Sequence, residues 1–591
     1  MTKQAKQIES DGKGDYKQSI ADLLSHYEDG WDIFKKANDV NDWNYPVTLK
    51  PESENVPGLP TSWLALVERV LAIVAEQKYD LSYYPNVIEV ITSEQMLDSY
   101  ASVGMPISYQ HWSFGKQRIM EDQSYKQGRS GLAYEIVINT DPSIAYCMEN
   151  NTPLMQMLVI AHASFGHNNF FKENEHFKNF TNASSIVSDL RDMRDFISEC
   201  EEKHGYEEVE KLLDACHALE FFAVNPYNKH KRSEKDAKAA KKAAKKLWKE
   251  RFSTPEDRAI YDKVKSSADF NDASNDNKDK ASTSNSMEEN IMLYIADNAP
   301  HLPAWKRKIM HMVANKARYF YPQPRTQVMN EGWASFWHWT LLHDMRELDL
   351  INDGMMFEFI ESHAGVLFQP DFDAAVYVTD KDGNIVRDPY TGEPQTRSIY
   401  SGINPYALGF AIFQDIKRIC QEPTEEDHKW FPHIAGSDDW LGVLKHAMRN
   451  FDNESFILQY LSPKVMRDFK FFSMEDDSDK DYVEVKGIHD SKGYEQVRND
   501  LARQYNLELA LPRIEVAEYH DRTDRHIVLQ HTIRDNKPLY EKDTYEVMKH
   551  MYQLWGHPVV LRSVDESGNV VKRMACPPDY KAPDPKMAPK I

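Results

Sequence analysis

Two histidines in one apolar segment have a spacing that could serve metal chemistry. His162 and His167 lie five residues apart in the stretch LVIAHASFGHNNFF. Five residues of a regular α-helix advance about 500°, which leaves the two rings about 140° apart and unable to hold one ion. A one-residue π-bulge near Gly166 would bring the rings together, and such bulges gather at functional sites. The alternative is that both are core histidines with satisfied hydrogen bonds.

A glutamate stands in a second apolar segment, VMNEGWASFWHWTLL, whose pattern predicts an aromatic-rich helix. Glu331 and His338 are seven residues apart, so they share one helical face about 10.5 Å apart along the axis. An unpaired carboxylate in an apolar helix is costly, so we expect a cation nearby. Arg318 or Arg325 could supply it as an ion pair, and a divalent ion shared with the two histidines is the alternative.

A third segment, FIESHAGVLFQP, carries Glu361 and His363, which could join a metal or transfer protons. After it, Asn404 and Pro405 predict a helix start with the asparagine as cap. The predicted metal ligands are therefore His162, His167 and Glu331. The predicted catalytic residues are Glu331, His338 and His363.

Two histidines and one glutamate favour zinc, with iron or manganese if more carboxylate joins. The pattern of His-x4-His with a distant Asn-Glu-Gly-aromatic-Ala resembles the zinc ligands of gluzincin metallopeptidases. It departs at Ala163, where those enzymes keep the glutamate that activates water. Glu331, Glu173 or His338 could support different chemistry, or the site could bind without hydrolysing. Enzymatic activity stays open: if present, it is that of a metal-dependent, gluzincin-like hydrolase lacking the usual general base.

Composition narrows the function classes. The chain has 591 residues and a formal net charge of −22, which makes broad contact with nucleic acid or anionic lipid unfavourable. We expect no nucleic-acid partner. The sequence offers neither a secretory leader nor an apolar run long enough for a transmembrane segment. Five cysteines without a Cys-x2-Cys spacing indicate a reducing compartment, so the expected location is the cytoplasm.

The pattern up to about residue 460 is mostly helical, with a helix expected near Thr61 and capped by Ser62. A strand is expected within GLAYEIVINT. Residues 229–290 combine a Lys/Ala helix with a polar linker and are interpreted as an insertion. Residues 376–401 carry turn signals between short β-prone pieces, which predicts a hairpin.

After residue 462 the residue pattern changes to one typical of short strands and two helices, which predicts an α+β domain with an antiparallel sheet. The predicted fold class is mainly α with α+β: a large helical, gluzincin-like core followed by this smaller domain. The predicted units are a flexible N-terminus at 1–18, helical core at 19–228 and 291–462, the insertion at 229–290, the α+β domain at 463–575 and a disordered tail at 576–591.

Longer stretches across the chain resemble the SpoVR family (stage V sporulation protein R-like), in particular its enterobacterial YcgB-like branch. They include GMPISYQHWSFGK, MLVIAHASFGHNNFF, QVMNEGWASFWH, GINPYALGFAIFQDIKRIC and ESFILQYLSPKVMRDFKFF. The resemblance implies a cytoplasmic protein acting in formation or remodelling of peptidoglycan, in the spore cortex or the cell wall, and in stress response. It also implies serine-kinase operon partners and cell-wall synthesis proteins. The alternative is a non-enzymatic regulatory or scaffold protein with a vestigial metal pocket.

Overall fold

The computed structural model describes most of the chain in five long parts. These are residues 15–35, 58–101, 135–224, 290–475 (without 373, 381, 382 and 401) and 484–581 (without 488, 489, 521–523 and 536), together with residue 49 and short pieces between 105 and 119. Residues 1–14 of the predicted flexible segment at 1–18 lie outside the described residues. A helix begins at Tyr16, inside the rest of that segment. The predicted insertion lies outside the described residues from 229 to 289, and the predicted tail from 582 onward.

Helices dominate the described part of the chain, as predicted. They are α1 Tyr16–Leu24, α2 Trp63–Ile73, α3 Ser93–Ala101, α4 Pro153–Ile160, α5 Asn168–Glu173, α6 Glu175–Phe180, α7 Ile186–His204, α8 Tyr206–Ala218, α9 Ile291–Asn298, α10 Ala304–Phe320, α11 Pro322–Glu347, α12 Asp353–Val366, α13 Pro405–Gln421, α14 Glu425–Trp430, α15 Trp440–Asn450, α16 Asn453–Tyr460, α17 Pro463–Asp468, α18 Ser491–Gln504, α19 Leu507–Ala510 and α20 Glu541–Trp555. Two π-helical segments, Val74–Lys78 and Ala161–His167, follow α2 and α4. Helix α2 begins where predicted, because the Ser62 side chain accepts a hydrogen bond from the backbone N–H of Ala65.

Eleven strands form four sheets within the described residues. They are β1 Asn86–Ile91, β2 Glu135–Ile138, β3 Ser143–Met148, β4 Ala375–Tyr377, β5 Thr396–Ser398, β6 Ser473–Glu475, β7 Glu484–Gly487, β8 Arg513–Tyr519, β9 Ile527–Thr532, β10 Val559–Val564 and β11 Val570–Cys576. The first sheet has the order β1-β3-β2, with β1 parallel and β2 antiparallel to β3. Strands β4 and β5 pair antiparallel and confirm the predicted hairpin, and β6 pairs with β7.

The C-terminal sheet corrects one prediction. Its order is β11-β10-β9-β8, and its two outer pairs are antiparallel as expected. The central pair, β9 with β10, is parallel, so the sheet is mixed. Helix α20 is the reason, because it carries the chain back to the edge where β9 started, and a crossover of this kind joins parallel strands.

The buried side chains form three clusters. The largest surrounds the π segment Ala161–His167 and α11, and it includes Tyr494, Val497 and Leu501 of α18. A second cluster joins α8, α9 and α10 to α20 and the C-terminal sheet. The third lies against the β1-β3-β2 sheet. No helix within the described residues has the length and apolar character needed to cross a bilayer.

Candidate metal centre

A π-helical turn brings His162 and His167 together. The backbone from Ala161 to His167 is π-helical, all seven residues are buried, and the N–H of Asn168 donates to the carbonyl of Ala163. This wider turn absorbs the extra residue, so the two imidazole centroids lie 4.6 Å apart with their planes at 81°. The π-bulge that the five-residue spacing requires for the two rings to meet is therefore present.

Glycine lets the neighbouring helix reach this turn. A side chain at Gly166 would place its Cβ 2.5 Å from the Cα of Ala334 on α11, so only a bare backbone fits. On the other side of α11, a Cβ at Gly332 would overlap the backbone of Gly409 on α13. Helix α11 is thus held between two backbones, with Glu331 carried beside Gly332.

Glu331 points at both histidines. Its Oε2 lies 3.4 Å from Nε2 of His167 and 3.9 Å from Nε2 of His162, and the three ligand atoms all lie within 4.8 Å of one another. This Oε2 is buried and has no hydrogen-bond partner among the described residues. A buried carboxylate oxygen left without a hydrogen bond costs free energy, and a cation between these atoms would remove that cost.

The arginines offered as alternative partners of Glu331 contact other groups. Arg325 pairs with Asp452 at 3.0 Å, and Arg318 donates to the carbonyl of Asn179 at 3.2 Å. Glu331 instead has the two histidines and the hydroxyl of Tyr406 as neighbours. The ion-pair interpretation of Glu331 therefore gains no support from the geometry.

Burial and mutual contacts set the charges of the centre. The pKa of His162 is lowered to about 4, because burial and the neighbouring His167 together outweigh the opposing effect of Glu331. Burial works against the ionisation of Glu331, but the histidines and the hydrogen bond from Tyr406 outweigh it and lower the pKa of this carboxyl. At neutral pH His162 is therefore neutral and Glu331 is an anion, which are the states that bind a divalent ion.

Asn330 fixes the orientation of His167. Its side-chain oxygen lies 2.9 Å from Nδ1 of His167, so that nitrogen donates, and a metal ion would be bound by Nε2, which faces Glu331. A hydrogen bond of this kind, from the ring nitrogen that does not ligate, is the usual support of a metal-binding histidine.

His338 and His363 lie behind His162 instead of beside its Nε2. Nδ1 of His338 is 2.8 Å from Nδ1 of His162, and Nε2 of His338 is 2.6 Å from Nδ1 of His363. Both ring nitrogens of His338 thus contact other imidazoles and are not available to an ion. Burial lowers the pKa of His338 well below its usual range and that of His363 to about 4, so both rings are neutral.

The other carboxylates named as alternatives are elsewhere. Glu361 is exposed on α12. Glu173 pairs with Arg449 at 2.9 Å and lies 3.7 Å from Lys178. Neither residue belongs to the group of ligand atoms that the structure brings together.

Sequence reasoning missed Tyr406 and Asn330. Tyr406 hydrogen-bonds to Glu331 and stacks on His162 with 6.2 Å between ring centroids and 18° between planes. It is placed by the predicted helix start, because Asn404 caps α13 and accepts from the N–H of Tyr406 at 2.9 Å. Two positions were the available signals: Tyr406 stands two residues after this cap, and Asn330 stands directly before Glu331.

Comparison with known proteins agrees with the resemblance noted in the sequence. The family model described as SpoVR like protein matches residues 61–510, and that described as SpoVR-like C-terminal domain matches residues 512–566. The chain belongs to the SpoVR family. All five predicted site residues fall in the longer SpoVR match.

One SpoVR relative is similar over nearly the whole chain. The uncharacterized protein YcgB of Escherichia coli (strain K12) is 45% identical over 525 residues, which covers 87% of this chain and 94% of the relative. No solved structure matches the chain.

Proposed function

We propose that this SpoVR protein is a divalent-metal protein and that His162, His167 and Glu331 hold the ion. The observation that carries the proposal is the buried Oε2 of Glu331, which lacks a hydrogen bond among the described residues and faces two imidazole Nε2 atoms. Two imidazoles and one carboxylate are the ligand set of many zinc sites with an open position.

Zinc is the ion that this set favours. Iron or manganese would suit the site better if further carboxylates joined, but Glu173 is engaged by Arg449 and Glu361 is exposed. A bound divalent ion would act as a Lewis acid toward an oxygen atom of a ligand. Tyr406 supplies a hydroxyl next to this position and holds the Glu331 carboxylate.

Metal analysis tests the proposal directly. We expect about one zinc ion per chain in purified wild-type protein and a large loss in His162→Ala and Glu331→Gln. His343→Gln is a matched control, because His343 lies on the same helix and its Nδ1 contacts the carbonyl of Trp339. Wild-type protein that stays metal-free after incubation with zinc, iron and manganese would contradict the proposal.

Two functions are compatible with a metal centre of this kind. One is a gluzincin-like hydrolase, which the set of two histidines and one glutamate favours. The other is a non-enzymatic regulatory or scaffold protein, which Ala163 favours because a buried methyl group stands where a water-activating glutamate is needed. Complementation of a deletion strain separates them: full rescue by Glu331→Gln would favour the scaffold, and loss of rescue the metal-dependent reaction.

The wider role proposed here follows from the family. It is a cytoplasmic role in the formation or remodelling of peptidoglycan and in stress response, with serine-kinase and wall-synthesis proteins as partners. Altered wall composition in a deletion strain, restored by the wild-type chain, would support this role. Unchanged wall composition in growing, stationary and stressed cells would count against it.

A further inference from the structure

We infer that His338 and His363 are positioning residues that select the ring tautomer of His162, and with it the nitrogen that His162 presents to the ion. This inference rests on the proposed function, because it concerns the same centre. Neither residue belongs to the group of ligand atoms that could hold an ion.

The three imidazoles form one continuous chain. It runs from Nδ1 of His162 to Nδ1 of His338 over 2.8 Å, and from Nε2 of His338 to Nδ1 of His363 over 2.6 Å. Both distances are hydrogen-bond distances. Of the six ring nitrogens, four are therefore used inside the chain, Nε2 of His162 faces Glu331, and Nε2 of His363 forms the far end.

The ion fixes the direction of these hydrogen bonds. Each contact joins two ring nitrogens, so one must carry a proton and the other a lone pair. An ion on Nε2 of His162 requires the proton on Nδ1, which then donates to Nδ1 of His338. Nε2 of His338 must in turn donate to Nδ1 of His363. With three neutral rings, this arrangement satisfies every contact of the chain and keeps the lone pair of His162 on Nε2, the nitrogen that faces Glu331.

Packing keeps the rings in line. His338 is fully buried. The ring of His363 is held by Trp339, Phe410 and Phe359, with centroid distances of 4.5, 4.9 and 5.7 Å. A ring flip in either residue would break the chain, so the aromatic neighbours preserve the acceptor that His162 needs.

Binding of Co²⁺ to the full chain, followed by its visible absorption in competition with a chelator, tests the inference. His338→Leu removes the acceptor facing Nδ1 of His162, and His338→Asn keeps an oxygen at the δ position. We expect His338→Leu to weaken Co²⁺ binding about 10- to 100-fold and to change the cobalt spectrum. His338→Asn should stay within about threefold of wild type, and the control His343→Gln should be unchanged.

A second pair covers the case in which His338→Leu does not fold. His363→Leu and His363→Asn differ in the same way one ring farther out, so the leucine variant should again bind more weakly than the asparagine variant. Equal affinities within both pairs would overturn the inference while leaving the metal site intact. A wild-type chain that does not bind Co²⁺, zinc, iron or manganese would instead overturn the proposed function.

Discussion

Nε2 of His167, from a π-helical turn, lies 3.4 Å from Oε2 of Glu331, from the middle of α11. The helix pair reaches this distance because Gly166 and Ala334 meet without an intervening side chain. The close contact between these two backbones therefore also brings His167 and Glu331 together.

Gly166→Ala should damage both stability and the metal site. The new Cβ would lie 2.5 Å from Cα and 2.8 Å from Cβ of Ala334, so the helices must separate. Overpacking of this kind costs about 1–3 kcal/mol, measured as the free energy of unfolding in denaturant. Gly365→Ala is the control, because nothing lies within 4 Å of its added Cβ. It should be neutral or stabilising by up to about 1 kcal/mol, and an equal loss in both variants would contradict the argument.

Removal of metal should lower the thermal stability of wild-type protein. An ion that binds only the folded chain adds about 2.7 kcal/mol when its free concentration is a hundredfold above Kd. A chelator should therefore lower the Tm of the wild-type protein, measured by calorimetry, and leave the Tm of the Glu331→Gln variant unchanged. An equal effect of the chelator on both proteins would place the ion elsewhere.

Tyr406→Phe should weaken metal binding without disturbing the fold. The change removes the hydroxyl that hydrogen-bonds to Glu331 and keeps the ring stacked on His162. Loss of a supporting hydrogen bond typically weakens metal affinity about 10- to 100-fold. Competition with a chromophoric chelator measures this effect. Affinity equal to wild type would mean that Tyr406 does not support the carboxylate.

The metal-free protein should lose stability on acidification below about pH 6.5. Burial lowers the folded-state pKa of His162 and His363 to about 4. Between about pH 6.5 and pH 4, these two histidines bind protons only in the unfolded chain. The free energy of unfolding therefore falls as the pH falls, and this loss ends near pH 4. Each group contributes on the order of 3 kcal/mol at most. His363→Gln should show a shallower decline in denaturant titrations across this range, and an unchanged slope would contradict the assignment.

The sequence predicted the local features of the site. The five-residue histidine spacing led to the π turn, and the cap at Asn404 led to the start of α13. The roles of His338 and His363 could not be predicted, because helical periodicity gives the face of one helix and not its neighbour across the core. In the same way, strand patterns located β9 and β10, but the direction of their pairing depends on the path of α20.

The second buried cluster brings together stretches of chain that lie far apart in the sequence. Its side chains come from α8, α9 and α10 on one side and from α20 and the C-terminal sheet on the other. One family match ends at residue 510 and the other begins at residue 512. Because the cluster spans this point, it is not a suitable boundary for a truncated protein. A fragment that ends there would expose the apolar side chains of this cluster to solvent, and exposed apolar surfaces favour self-association. Recombinant work on the candidate metal centre needs the C-terminal sheet attached, even though that sheet contributes none of the proposed ligands.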